Sequence, residues 1–252
     1  MHDEVSDPVL IREGERLDEL QPGDLRVLQK EHGFRFGMDA VLLADFARVR
    51  ERDRVADFGT GTGILPLLLR ARGKGAEYDA FELQPELADM ASRTMRINGL
   101  LERVRVHALP VEEAERAVPR CTVDHIVCNP PYWRDGSALK SRDEAAQLAR
   151  HQGEEGLDAW FRMAHLLLKG RGRMSVVYPA PRLLELTRAM EDARMTPKRL
   201  RLVYPRADRP AVLCLVECMK DARPMLTVEP PLIVYEDDGS ETAELKRIYR
   251  EG

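Results

Sequence analysis

The chain has 252 residues, 44% hydrophobic and 33% charged, the composition of an ordinary globular protein able to bury a sizeable core. Its 39 basic and 43 acidic residues leave a net charge of −4, which argues against a sequence-blind nucleic-acid coat but leaves room for a local basic face. No apolar run reaches the roughly 18 residues of a membrane span, no export signal opens the chain, and Cys121, Cys128, Cys214 and Cys218 form no metal-ligand pattern. The expectation is therefore a cytoplasmic protein with no metal and no membrane partner, present as a monomer or weak dimer.

Residues 17–50 are expected to include an amphipathic helix from Met38 to Arg48 covering the ligand end of the molecule. From Arg52 onward, apolar runs alternate with helical patterns, the signature of a parallel α/β sheet. The first strand is Arg54 to Phe58, followed by a helix from Ile64 to Arg72. The second strand is Glu77 to Glu82. A helix opened by Pro85 follows and stops at Asn98-Gly99. Val104 to His107 and Val123 to Cys128 are the third and fourth strands.

The polar stretch from Trp133 to Gly153 predicts a mobile loop. A helix bearing Leu157, Trp160, Phe161, Ala164 and Leu167 comes next, capped by Lys169-Gly170. The remaining elements are a strand from Arg173 to Tyr178, a helix from Pro181 to Ala193, and strands at Arg199–Tyr204 and Ala211–Met219. Pro231 to Tyr235, a polar turn and a short helix close the chain. Seven strands, two of them with no long helix between, predict a doubly wound α/β sheet whose last strand returns antiparallel. The whole chain is expected to be one domain, with a cap over 1–50, a core over 51–219 and a tail over 220–252.

Asp57-Phe58-Gly59-Thr60-Gly61-Thr62-Gly63 joins the first strand to its helix. Glycines there permit a sharp turn and a close backbone approach to a ligand. A dinucleotide fingerprint would place its third glycine where Ile64 stands, so the spacing argues against NAD or FAD. Glu82, ending the second strand, can accept both ribose hydroxyls of an adenosine, and Asp57 can meet a cationic amino-acid end. Adenosine with a cationic tail describes S-adenosylmethionine.

Asn129-Pro130-Pro131-Tyr132 ends the fourth strand. Two prolines can simply stop a strand, but in a doubly wound sheet this turn should flank the switch point beside the glycine turn. The Asn129 side-chain oxygen and the Pro130 carbonyl can each accept one N–H of an aromatic amino group. They would hold it in line with the sulfonium methyl, while Pro131 stiffens the turn and Tyr132 offers a face for a planar base.

These two motifs at this spacing resemble the class I amino-methyltransferases. More narrowly, the chain is similar to the bacterial tRNA(Val) (adenine(37)-N6)-methyltransferase family. The finer markers are Gln29 with Gly33 to Gly37, Asp39 to Ala44, Gly59 to Leu65, Ala149 to His151, Pro197 to Leu200 and Pro231 to Tyr235. The resemblance implies a class I, Rossmann-like fold with an N-terminal helical segment and a short C-terminal tail. It also implies cofactor contacts at Arg35, Phe36, Gly37, Asp39, Asp57, Gly59, Thr60, Gly61, Gly63, Glu82, Leu83 and Asn129, with Asn129, Pro130 and Tyr132 catalytic. The implied substrate is an adenine beside the anticodon of a valine tRNA.

Pro131, Trp133, Arg150, His151, Lys198 and Arg199 are the candidates for substrate binding, the last two within a basic strip from Arg194 to Arg209 that would grip phosphates. The chain departs from the family at Leu109, where an acid usually meets the cofactor's adenine, and at Gln152, where a glutamate is usual. Guanine in ribosomal RNA and a protein glutamine remain alternative acceptors. A non-catalytic RNA-binding module with a degenerate cofactor site is the alternative from another class.

Overall fold

The computed structural model describes residues 10–20, 25–31, 37–130 and 154–250. Strands β1 (Glu15–Leu20) and β2 (Leu25–Lys30) pair antiparallel as a separate hairpin. Helix α1 (Met38–Phe46) follows. Next come β3 (Arg54–Phe58), α2 (Ile64–Ala71), β4 (Glu77–Phe81), α3 (Pro85–Ile97) and β5 (Val104–His107). A 3₁₀ turn over Val111–Arg116 leads to β6 (Val123–Cys128), α4 (Glu154–Leu167), β7 (Leu168–Pro179), α5 (Leu183–Asp192), β8 (Met195–Tyr204) and β9 (Leu213–Lys220). Two-residue strands β10 (Thr227–Val228) and β11 (Leu232–Ile233) and helix α6 (Ala243–Arg250) finish the chain.

The large sheet runs β8-β9-β7-β6-β3-β4-β5, with β10 and β11 both added parallel to β8. Strands β3 to β7 pair in parallel, and β9 lies antiparallel between β7 and β8. The antiparallel return expected from the sequence is therefore present. The physical reason is that only a short link, 205–212, joins β8 to β9, too short for a parallel crossover. The central strands are buried on both faces, with largely apolar β3, β6 and β9 that also bury Asp57, His125 and Glu217. Strand β3 contributes Val55, Ala56 and Phe58 with no exposure.

Three expectations need correction. The segment before α1 is a β-hairpin rather than helix alone. Its second strand docks on α3, where Asn98 accepts the Arg26 amide hydrogen at 2.9 Å and Thr94 Oγ1 accepts that of Leu28 at 3.2 Å. Arg93 of α3, held by Asp89 of its own helix, adds an ion pair to Glu15 of β1. Helix α1 ends at Phe46 and is buried from Asp39 to Ala44, so it is a core helix and not an amphipathic one. It packs against α2, β7, β9 and α6. Finally, Lys169-Gly170 does not cap α4: β7 begins at once at Leu168, and residues 169–172 fall in the register break between Val123 and His125.

Candidate active site

The switch point lies between β3 and β6, where chain connectivity turns from one side of β3 to the other. The glycine turn occupies the C-terminal end of β3. Gly59, Gly61 and Gly63 all have positive φ, at 71°, 58° and 88°. That backbone conformation favours glycine at all three, and at two of them a side chain would also crowd a neighbour. A Cβ on Gly63 would stand 2.5 Å from Met95 Cε of α3, and one on Gly59 would stand 3.1 Å from the Trp160 ring of α4. The Thr60 amide bonds the Phe81 carbonyl at 2.9 Å, tying the turn to β4.

Glu82, at the end of β4, is 7% exposed. Its Oε2 accepts the Gly61 amide hydrogen and its Oε1 that of Gln84, each at 2.9 Å. Each carboxylate oxygen retains a lone pair for a second donor. Leu83 follows immediately and is 51% exposed, an apolar surface next to a polar acceptor.

Asp57 is fully buried in β3, and neither of its oxygens has a hydrogen-bond partner among the described residues. Burial pushes its pKa up to about 7; the nearby Thr60 hydroxyl pulls it down and the Glu82 charge adds to the rise. A buried, unsatisfied carboxylate is costly unless a donor arrives from outside the chain.

Asn129 and Pro130 continue from β6. The register pairs Phe58 with Cys128, so Asn129 leaves its strand beside Gly59. Asn129 is half-buried and Pro130 buried. The two motifs singled out in the sequence thus meet at the ends of adjacent parallel strands.

Residues 37–192 match the methyltransferase small domain family. The chain belongs to that family. A relative from Tolumonas auensis named tRNA1(Val) (adenine(37)-N6)-methyltransferase is 31% identical over 86% of this chain and 88% of its own. A Yersinia pestis protein of the same name is 33% identical over 57% of either chain, so the match spans just over half of that relative. Among solved structures, a predicted O-methyltransferase from Agrobacterium tumefaciens is 27% identical with a TM-score of 0.68, over 85% of this chain and 96% of that one. Geranyl diphosphate C-methyltransferase from Streptomyces coelicolor shares the fold at a TM-score of 0.53 and 15% identity, over 73% and 75% of the two chains.

Within this methyltransferase small domain, Gly37 and Asp39 stand at the start of α1, which packs on α2, the helix opened by the glycine turn. Arg35, Phe36, Pro131, Tyr132, Trp133, Arg150, His151 and Gln152 lie outside the described residues, as does the loop expected over 133–153.

The expectation for Arg199 in the basic strip is corrected. Arg199 is 8% exposed and points inward, bonded to Glu229 at 2.7 Å, to Glu217 at 3.2 Å and to the Phe46 carbonyl at 3.3 Å, with its guanidinium over the Phe46 ring at 4.2 Å. It cannot reach an RNA phosphate. Lys198 bonds the Arg223 carbonyl near the start of β8, away from the strand ends that hold the site. Arg201 pairs with Glu244 and Arg194 with Asp221. Lys198, Arg199 and Arg201 thus fasten the C-terminal tail against what would otherwise be an open sheet edge.

Sequence reasoning missed Trp160 as a site residue. Its ring lies edge-on to Phe58, its indole nitrogen donates to Glu112 at 2.9 Å, and it closes over Gly59. Helical periodicity put Trp160 on an apolar face, but no local signal pointed to Gly59. His107, at the end of β5, stacks on Phe81 and bonds Asp79 at 2.9 Å. Leu109 packs against the cluster around Phe81 and Val111. Among the described residues no group of His, Cys, Asp or Glu can hold a metal ion, and no helix is long and apolar enough to cross a membrane.

Proposed function

We propose that this protein transfers a methyl group from S-adenosylmethionine to the exocyclic N6 of an adenine in tRNA, adenine 37 of a valine tRNA, in the cytoplasm. The observation that carries the reading is the meeting of Asn129-Pro130 with the glycine turn and the partnerless Asp57 at one switch point.

The residues present fit the cofactor. Asp57 supplies the unsatisfied acceptor a cationic amino group needs, Glu82 has acceptor capacity left for ribose hydroxyls, and Leu83 offers an apolar surface for adenine. Bound there, S-adenosylmethionine supplies an electrophilic methyl carbon. Arg35, Phe36, Gly37 and Asp39 complete the cofactor set on this reading, which treats the chain as one catalytic unit.

The chain's own work is positioning. The Asn129 amide oxygen and the Pro130 carbonyl accept the two N–H bonds of the adenine amino group. This turns the nitrogen lone pair out of conjugation and aims it at the methyl carbon. With the cofactor bound, the N–C bond would form as the S–C bond breaks, and the nitrogen would then lose a proton to water. No side chain of tuned pKa is needed for that loss. Tyr132, one residue after Pro131, is assigned the face on which the base stacks.

Nucleoside mass spectrometry of tRNA incubated with the enzyme and S-adenosylmethionine tests the reading. N6-methyladenosine, lost in Asn129→Ala, is the expected product. Label found only on ribosomal RNA guanine or on protein would replace it with the corresponding acceptor.

A further inference from the structure

Resting on the tRNA reading, we propose that the open cleft between the β8–β9 link and the 235–239 turn is a second RNA subsite, which receives one splayed nucleotide a few positions from the methylated base. The cleft has a volume of about 320 Å³, is open to solvent and is lined by Pro205, Arg206, Arg209, Tyr235 and Gly239. Backbone bonds join its lining: the Tyr235 amide donates to the Pro205 carbonyl at 2.9 Å, and the Gly239 amide to the Glu236 carbonyl at 3.0 Å.

The position suits a strand of RNA reaching Asn129. Strand β8 runs parallel to β3 and β6, so its C-terminal end and the residues after it project from the same end of the sheet as the site. Through β9 and β7, Arg201 lies in the row that Asn129 extends. Three strand spacings separate β8 from β6, about 14 Å sideways, and Tyr204 is three residues further along, about 10 Å. That is a separation of a few nucleotides.

The chemistry selects a nucleotide. Tyr235 is 38% exposed and lines the cleft together with Pro205, and unstacked bases in RNA stack on aromatic side chains. Arg206 and Arg209 are the members of the basic strip not consumed by the core or the tail. Their ion pairs are loose, both to Asp208, at 3.6 and 3.7 Å. An Asp shared at those distances on the surface leaves both guanidinia able to turn to a phosphate. Glu236, Asp237 and Asp238 make the neighbouring turn acidic. That disfavours backbone lying along the surface and favours insertion of a single base with its phosphate held at the arginine rim.

Steady-state methyl transfer to a valine tRNA transcript tests the subsite on the full chain. Tyr235→Ala should raise KM for tRNA about tenfold, with kcat within about twofold, and Tyr235→Phe should keep the wild-type KM. Arg206→Ala combined with Arg209→Ala should raise KM and flatten its dependence on salt. S-adenosylmethionine affinity by calorimetry should stay unchanged in all three. Wild-type KM values in both alanine variants would overturn the subsite and leave the tRNA reading standing, as would a loss confined to kcat or to cofactor affinity. Absence of any transfer to tRNA by the wild type would overturn the tRNA reading, and the subsite with it.

Discussion

Glu82 Oε2 accepts the Gly61 amide hydrogen at 2.9 Å, so the carboxylate that ends β4 also braces the turn that ends β3. Removing it should do two things at once. Glu82→Ala is expected to weaken S-adenosylmethionine binding by about ten- to a hundredfold, the loss of hydrogen bonds to a charged group of about 1.5–3 kcal/mol. A 2′-deoxyribose analogue of S-adenosylhomocysteine separates the roles. Wild type should bind the analogue more weakly than the parent, whereas Glu82→Ala should bind both alike; equal discrimination in the two proteins would leave Glu82 as a brace alone.

Asp57 makes the site pH-dependent. Its folded pKa is raised to about 7 by burial, against an ordinary carboxyl value near 4 in the unfolded chain. Between those values the folded protein holds a proton that the unfolded chain has released. Stability of the cofactor-free protein should therefore fall as pH rises from about 4 to 7, with the cost fully present above 7. Asp57→Asn removes that slope and should melt higher than wild type above pH 7. Cofactor binding should show the opposite trend: wild-type affinity rises from pH 6 to 7.5 as the carboxylate ionises, and Asp57→Asn binds weakly throughout. Melting curves and calorimetry at three pH values check both; a wild type whose affinity is flat over that interval would contradict the assigned contact.

The parts of this site that could be read from the chain alone are those whose determinants are local. A buried run from Val55 to Phe58, glycines that must take positive φ, Pro85 at a helix start and Asn98-Gly99 at its end each declare their conformation within a few residues. The sheet order then placed Asn129 beside Gly59 without further information, because alternating strands and helices admit few windings. What escaped was non-local. The β1–β2 hairpin carries only a weak apolar alternation among charges, and its dock is made by Thr94 and Asn98, about seventy positions away in the chain. Trp160 reached Gly59 through tertiary packing. Arg199 reads as surface charge until Glu217 and Glu229 are found around it.

Arg199 also supplies the sharpest contrast with an RNA-gripping role for the basic strip. Its guanidinium faces Glu217, which has no exposure and also pairs with Arg173 at 2.6 Å. Removing one partner from a buried ion-pair network costs about 3–5 kcal/mol, because the remaining charge stays buried. At about 2–4 °C per kcal/mol for a chain of this size, Arg199→Met should lower the melting temperature by roughly 10 °C. The same change should leave KM for tRNA near its wild-type value at temperatures where the variant is folded, because the side chain touches the Phe46 carbonyl and ring, not the surface. Thermal denaturation with a parallel kinetic assay reads both quantities. A variant with wild-type stability and a tenfold higher KM would return Arg199 to the RNA-binding surface.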